Sequence, residues 1–160
     1  MPRTRTLIPA ICLISGLLLI GSELLNTFTI ETTEGQTVEL VGAAERHSFA
    51  FGLLGLLAIA GTVIAVVAGS RPAALMVVTS GIVALALFAV IDLPDAGTSD
   101  LIADANQDFA EGTAEPAGAF WISLIASLLC VAGGALLASL TPAQLRALRP
   151  GRGRATSSSS

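Results

Sequence analysis

The sequence predicts an all-α membrane protein: a four-transmembrane-helix bundle with a short extracytoplasmic β-hairpin and a short amphipathic loop helix. Three observations predict it. The first is apolar length. Hydrophobic residues make up 53% of the chain and charged residues 12%, with a mean hydropathy of +0.80. A helix needs roughly 20 apolar residues to cross a hydrocarbon core of about 30 Å. Runs at about 7–25, 48–69, 73–91 and 118–140 meet that need. They are continuously apolar, whereas strands of a membrane barrel alternate.

The second observation is the stretch from His47 to Asp92. Two spanning runs are joined there by a turn of a few residues, and Arg71 is the only charged side chain between Ser48 and Ile91. The third is charge segregation, which the formal net charge of −4 conceals. Arg3, Arg5, Arg71, Arg146, Arg149, Arg152 and Arg154 lie in the two tails and the middle turn. Every acidic residue lies between Glu23 and Glu45 or between Asp92 and Glu115. Four spans put these sets on opposite sides of the membrane. The positive-inside rule then assigns both termini and the Arg71 turn to the cytoplasm and the two acidic loops to the outside. Only Arg46 breaks the separation.

The first run follows Arg3 and Arg5 and resembles a signal peptide. However, no small-x-small cleavage pattern follows it, so a retained helix is expected. Pro9 is tolerable in its first turn. Glu23 falls near its outer end, where a carboxylate reaches interfacial water; a functional intramembrane carboxylate is the sharper alternative. In the first outer loop, Phe28, Ile30 and Thr32 alternate with Thr29, Glu31 and Thr33, and Val38 and Leu40 alternate with Thr37 and Glu39. With Glu34-Gly35 between them, this predicts a β-hairpin lying over the helix ends.

The second span carries Gly61, Ala65 and Gly69, and the fourth carries Ala126, Cys130, Gly134 and Ala138, each at four-residue spacing. Small columns of this kind let helices approach closely in lipid, here within the chain rather than as a dimer face. Gly69 suits a helix end and Pro72 a helix start. The third span ends at Asp92-Leu93-Pro94-Asp95, where proline disfavours helix in its predecessor. The second outer loop, from Ser99 to Gly112, repeats Leu101, Ala105 and Phe109 as well as Asp100, Asp104 and Asp108. That spacing predicts a short amphipathic helix with an acidic outer side. The fourth span opens with an interfacial Phe120-Trp121. Thr141-Pro-Ala-Gln144 forms a capping box for a short interfacial helix. The chain thus divides into a transmembrane domain, 1–140, and a segment 141–160 combining that helix with a basic, Ser-rich cytoplasmic tail.

Two sets of residues are site candidates. Counting about 1.5 Å per residue outward from the Arg71 turn brings His47 and Asp92 to the same height, roughly 30 Å away. Arg46, His47, Asp92 and Asp95 are therefore expected to cluster at the outer rim, as ordinary ion pairing that fixes the hairpin or as a pH-responsive contact. Asp104, Asn106, Asp108 and Glu115 match positions 1, 3, 5 and 12 of an EF-hand loop, but Phe109 stands where glycine is needed. A solvated acidic face is the simpler reading.

Cys12 and Cys130 lie in apolar spans and behave as small packing residues. The sequence carries no catalytic constellation, cofactor motif or metal-ligand set, and its arginines are too few for nucleic acid. The expected partners are membrane lipids and another membrane or extracytoplasmic protein, or a second copy of the chain. The mid-membrane polar residues are hydroxyls (Ser15, Thr62, Thr79, Ser80, Ser123 and Ser127), whereas ion-coupled carriers usually bury ionisable groups there. The expectation is a non-enzymatic accessory or interaction subunit, with an oligomeric channel or transporter subunit as the alternative.

Glu45-Arg46-His47, Ser70-Arg71-Pro72-Ala73-Ala74, Asp92-Leu93-Pro94-Asp95 and Gly118-Ala-Phe-Trp121 together resemble a group of small four-span membrane proteins of high-GC Gram-positive bacteria. That group has no assigned activity. The resemblance implies a bacterial cytoplasmic membrane and supplies no mechanism.

Overall fold

The computed structural model describes residues 3–32, 37–103 and 109–149. The chain enters through α1 (Arg3–Ser22) and continues into β1 (Asn26–Thr32), β2 (Thr37–Gly42) and the short α2 (Ala43–His47). Helix α3 (Ala50–Ala68) turns back into α4 (Arg71–Leu87), which one π-helical turn extends from Phe88 to Asp92. Strands β3 (Ser99–Ala103) and β4 (Phe109–Pro116) precede α5 (Gly118–Ser139) and α6 (Pro142–Ala147). The fold is mostly helical. Ala50–Ala68, Arg71–Asp92 and Gly118–Ser139 are long and apolar enough to cross a membrane, and α1 adds a shorter apolar stretch, Leu7–Ser22. Helix α1 packs on α3 and α5, and α4 packs on the same two from the other side.

These helices are built small side inward. Gly16 and Gly55 bring α1 and α3 into backbone contact: a Cβ on Gly16 would stand 2.9 Å from the Gly55 carbonyl oxygen. A Cβ on Gly61 would lie 2.8 Å from Ala73 O, one on Gly81 2.7 Å from Val131 N, and one on Gly133 2.9 Å from Cys12 Sγ. Each neighbouring helix pair therefore meets over a glycine, the arrangement expected where close approach rather than burial from water drives association. Large residues such as Leu17, Leu56, Ile64, Ile82, Ile125 and Leu136 point outward. The columns Gly61–Ala65 and Ala126–Cys130–Gly134 are buried within the chain.

The turn between α3 and α4 is specified locally. Gly69 takes a left-handed conformation (φ +68°) and its N–H reaches Ala65 O, a C-terminal cap that glycine makes without Cβ strain. The Ser70 hydroxyl then accepts from Ala73 N at 3.4 Å, with proline in the first turn of α4. Helix α6 opens on the expected capping box. Thr141 Oγ1 accepts from Gln144 N at 3.3 Å, and Gln144 Oε1 accepts from Thr141 N at 2.8 Å. Its Leu145, together with Leu148 just beyond it, is buried against Val66, Ala73 and Leu137, closing the end of the ring away from the sheet.

Two expectations are corrected. The first helix ends at Ser22, not near residue 25: β1 begins at Asn26 and its ladders take over the backbone hydrogen bonds, leaving Leu24 and Leu25 exposed in the connection. The amphipathic helix expected from Ser99 to Gly112 is replaced by β3 and β4. The hairpin of β1 and β2 is one half of a four-stranded antiparallel sheet in the order β2-β1-β4-β3. Strand β4 takes the second edge of β1, with Thr29 opposite Glu115 and Ile30 opposite Ala114. A lone hairpin is marginal, and two hairpins sharing a ladder satisfy the edge that each would leave open. That gain outweighs a local helix whose acidic residues repel at four-residue spacing.

Candidate functional site: an ion-paired rim at the sheet end

Three local features carry the polar residues to one place. Helix α2 delivers Arg46 and His47. The chain then passes through Ser48 (φ 49°) and Phe49 (φ 62°), consecutive non-glycine residues in the left-handed region. Each such residue costs about 1–2 kcal/mol, and strain of this kind collects at functional sites. The break separates α2 from α3, with His47 buried and Phe49 64% exposed. On the neighbouring helix, the π-helical turn keeps Asp92 on the same buried side as Ala84 and Phe88. Insertions of this type are frequent at functional sites.

The result is one carboxylate oxygen shared by a guanidinium and an imidazole. Asp92, fully buried, accepts through Oδ1 from Arg46 Nε at 3.1 Å and lies 2.9 Å from His47 Nε2. Arg46 Nη2 also donates to the Ile91 carbonyl at 2.7 Å and to Asp95 Oδ2. The guanidinium thereby closes the C-terminal end of the π turn and links the half-buried Asp95 to the buried Asp92. Arg46, His47, Asp92 and Asp95, expected to cluster, do meet here.

Beneath the ion pairs lies an aromatic layer. The Arg46 guanidinium sits 4.9 Å from the centre of the Phe28 ring, within cation–π range. Phe28 packs on Phe120 at 5.7 Å, Phe120 on Phe88 at 4.7 Å, and the His47 ring meets Phe51 edge-on at 4.6 Å. Because Phe28 is on β1 and Phe120 opens α5, the rim joins the sheet to the helices. Ala117 N, donating to Thr27 O at 2.8 Å, adds a backbone tie at the same junction.

Glu23 belongs to this end in a way that composition and spacing did not reveal. It is buried rather than facing interfacial water, and its Oε1 accepts from Gly52 N at 3.1 Å. Gly52 lies in the first turn of α3, whose partial positive charge favours a carboxylate. The N-cap residue of α3, Phe49, makes no side-chain cap hydrogen bond, so a carboxylate from just beyond α1 fills the role. Glu23 Oε2, Thr27 Oγ1, His47 Nδ1 and Asp92 Oδ2 are buried without a protein partner. Buried polar atoms left this way cost about 1–3 kcal/mol each unless water reaches them.

The other candidate set behaves differently. Asp104, Asn106 and Asp108 lie outside the described residues, and Glu115 is exposed on β4. Phe109–Pro116, which would supply the second half of a cation loop, is extended and paired along β3 and β1. Among the described residues no group of three or more His, Cys, Asp or Glu is placed to hold a metal ion.

No family model, curated protein or solved structure matches the chain, so the reading of its function rests on this geometry.

Proposed function

We propose that the chain is a four-span integral membrane protein of the bacterial cytoplasmic membrane, with both termini cytoplasmic. It acts as a non-enzymatic accessory subunit that presents its extracytoplasmic sheet to another membrane or extracytoplasmic protein. Support for a fourth span comes from α1. It runs against α3 at Gly16 and against α5 at Cys12, and it turns Leu7, Ile14 and Leu17 outward like the lipid-facing residues of its neighbours. The arginine and carboxylate segregation supports the orientation. The resemblance to small four-span proteins of high-GC Gram-positive bacteria supports the compartment.

The observation that carries the functional reading is the sheet itself. Both of the longer loops between the apolar helices contribute to it, and Arg46, Phe28 and Asp92 fix it to the helix ends. Its outer strands, β2 and β3, keep one edge each without a strand partner among the described residues. A rigid sheet with open edges is a surface for strand addition or for side-chain recognition. Between the helices, by contrast, Leu19, Phe51, Phe88, Phe120 and Leu137 fill the interior, which argues against a solute path.

Reconstitution into liposomes tests this reading. The purified protein is expected to carry no measurable ion or solute flux; robust flux would replace the accessory role with the channel or transporter alternative. Orientation is tested with Thr98→Cys, an exposed position beside β3, after replacing Cys12 and Cys130. A membrane-impermeant thiol reagent should label it in intact cells. Labelling only after permeabilisation would invert the topology.

A further inference from the structure

The end of the ring opposite the sheet holds cationic groups with no acidic partner among the described residues. Helices α3, α4 and α5 each run between the sheet and this end, about 30 Å apart at 1.5 Å per residue. Here Arg71 opens α4 and Arg146 lies on α6, with Arg149 just beyond, and all three are exposed. No acidic residue occurs in the sequence outside 23–45 and 92–115, and the described ones belong to the sheet and the rim beside it.

The two central arginines lie against backbone at this end. Arg71 Nε donates to the Leu140 carbonyl, at the close of α5, at 3.4 Å. Arg146 lies over the α3–α4 turn: a Cβ on Gly69 would stand 2.7 Å from Arg146 Nε and 2.8 Å from Pro142 O. Arg71 thus reaches from that turn toward α6, and Arg146 reaches from α6 back to the turn. Burial of Leu145 and Leu148 fixes α6 itself. A guanidinium has five N–H donors, and a single carbonyl contact leaves most of Arg71's unused. At the same end of the helices, Val67 in the last turn of α3 and Leu75, four residues after Arg71 on α4, are exposed apolar residues.

We propose that Arg71 and Arg146, assisted by Arg149, bind the phosphate of an anionic phospholipid whose acyl chains lie along Val67 and Leu75. The inference rests on the membrane reading above. Charge selects the headgroup: forked guanidinium donors match phosphate oxygens, and the neighbouring apolar strip matches a lipid rather than a soluble anion. A zwitterionic lipid places its own cation against the arginines and loses that advantage.

The test compares retention of phosphatidylglycerol and phosphatidylcholine by the full chain, using native mass spectrometry from detergent micelles. Wild type should retain phosphatidylglycerol at least tenfold better. At about fivefold per arginine, R71Q/R146Q should lose most of that preference without changing phosphatidylcholine retention. R71K/R146K, which keeps the charges, should retain much of it, and E115Q, on the sheet, should change neither lipid. Equal retention of the two lipids by folded wild type would overturn the site. So would displacement of phosphatidylglycerol by millimolar inorganic phosphate, which would make it a soluble-anion site. If the chain instead partitions into water rather than detergent on phase separation, the membrane reading itself fails, a result distinct from absent lipid preference.

Discussion

At the sheet end the core is aromatic, and its polar groups bond between elements: Arg46 from α2 to Asp92 beyond α4, Glu23 from the end of α1 to Gly52 on α3. Midway along the helices the core is mostly small residues (glycine, alanine, cysteine and serine) around Val77 and Thr62, and the hydroxyls bond within their own helix. Ser15 donates to Cys12 O at 3.0 Å, Thr62 to Ala58 O at 2.8 Å, Ser80 to Met76 O at 2.9 Å and Ser127 to Ser123 O at 2.7 Å. The difference separates two ways of holding apolar helices together. Local back-bonding satisfies a hydroxyl without specifying which helix lies opposite, so glycine contacts, with one thiol bond from Cys130 Sγ on α5 to Val77 O on α4 at 3.4 Å, define the middle. Cross-element ion pairs specify partners, and the buried Asp92 keeps its charge compensated by the part-buried Arg46.

The comparison is sharpest at Asp92. Removing this carboxylate by Asp92→Ala leaves the buried His47 and the part-buried Arg46 without their shared acceptor. It should cost about 3–5 kcal/mol in a denaturant titration in mixed micelles. A loss below about 1 kcal/mol would mean that the rim opens freely to water and does not organise the sheet end.

Gly55→Ala probes the middle. The new Cβ meets the Gly16 carbonyl and stands 2.9 Å from Ile20 Cγ1, so about 1–3 kcal/mol of stability should be lost in the same titration. Gly21→Ala, where a Cβ meets nothing within 4 Å, should instead gain up to about 1 kcal/mol from helix propensity. Equal effects at the two positions would show that the α1–α3 crossing is not tight.

The smallest effect is expected at Ser127→Ala. Its hydroxyl bonds only to its own helix, so the change should stay at or below about 0.6 kcal/mol, the average for hydrogen bonds between membrane helices. A larger loss would place a partner on the facing helix and blur the distinction between middle and end.

Much of the candidate rim was legible before any coordinates. A tight turn forces α3 and α4 to run antiparallel, and counting residues from Arg71 to His47 and to Asp92 brings them level; the two side chains stand 2.9 Å apart. Phe28 beneath Arg46 was not legible, because it depends on where β1 comes to rest. The second loop was misread for a specific reason. Leu101, Ala105 and Phe109 recur at intervals of four, and four residues return to the same side of both a helix and a strand. Periodicity alone cannot separate the two when every interval is even.

What the sequence determined by itself was therefore whatever chain-local physics decides. That includes the apolar helices, the adjacency of α3 and α4, the Gly69 and Ser70 caps, and the capping box at Thr141. Tertiary structure decided the rest. Strand β4 adds to β1 from a segment some eighty residues away, a pairing whose hydrogen bonds exist only once the helices have brought both loops together. The early end of α1, the left-handed Ser48 and Phe49, and the burial of Glu23 follow from that assembled end. None is favourable in an isolated segment; each persists because the surrounding ion pairs, aromatic contacts and strand ladders outweigh its local cost.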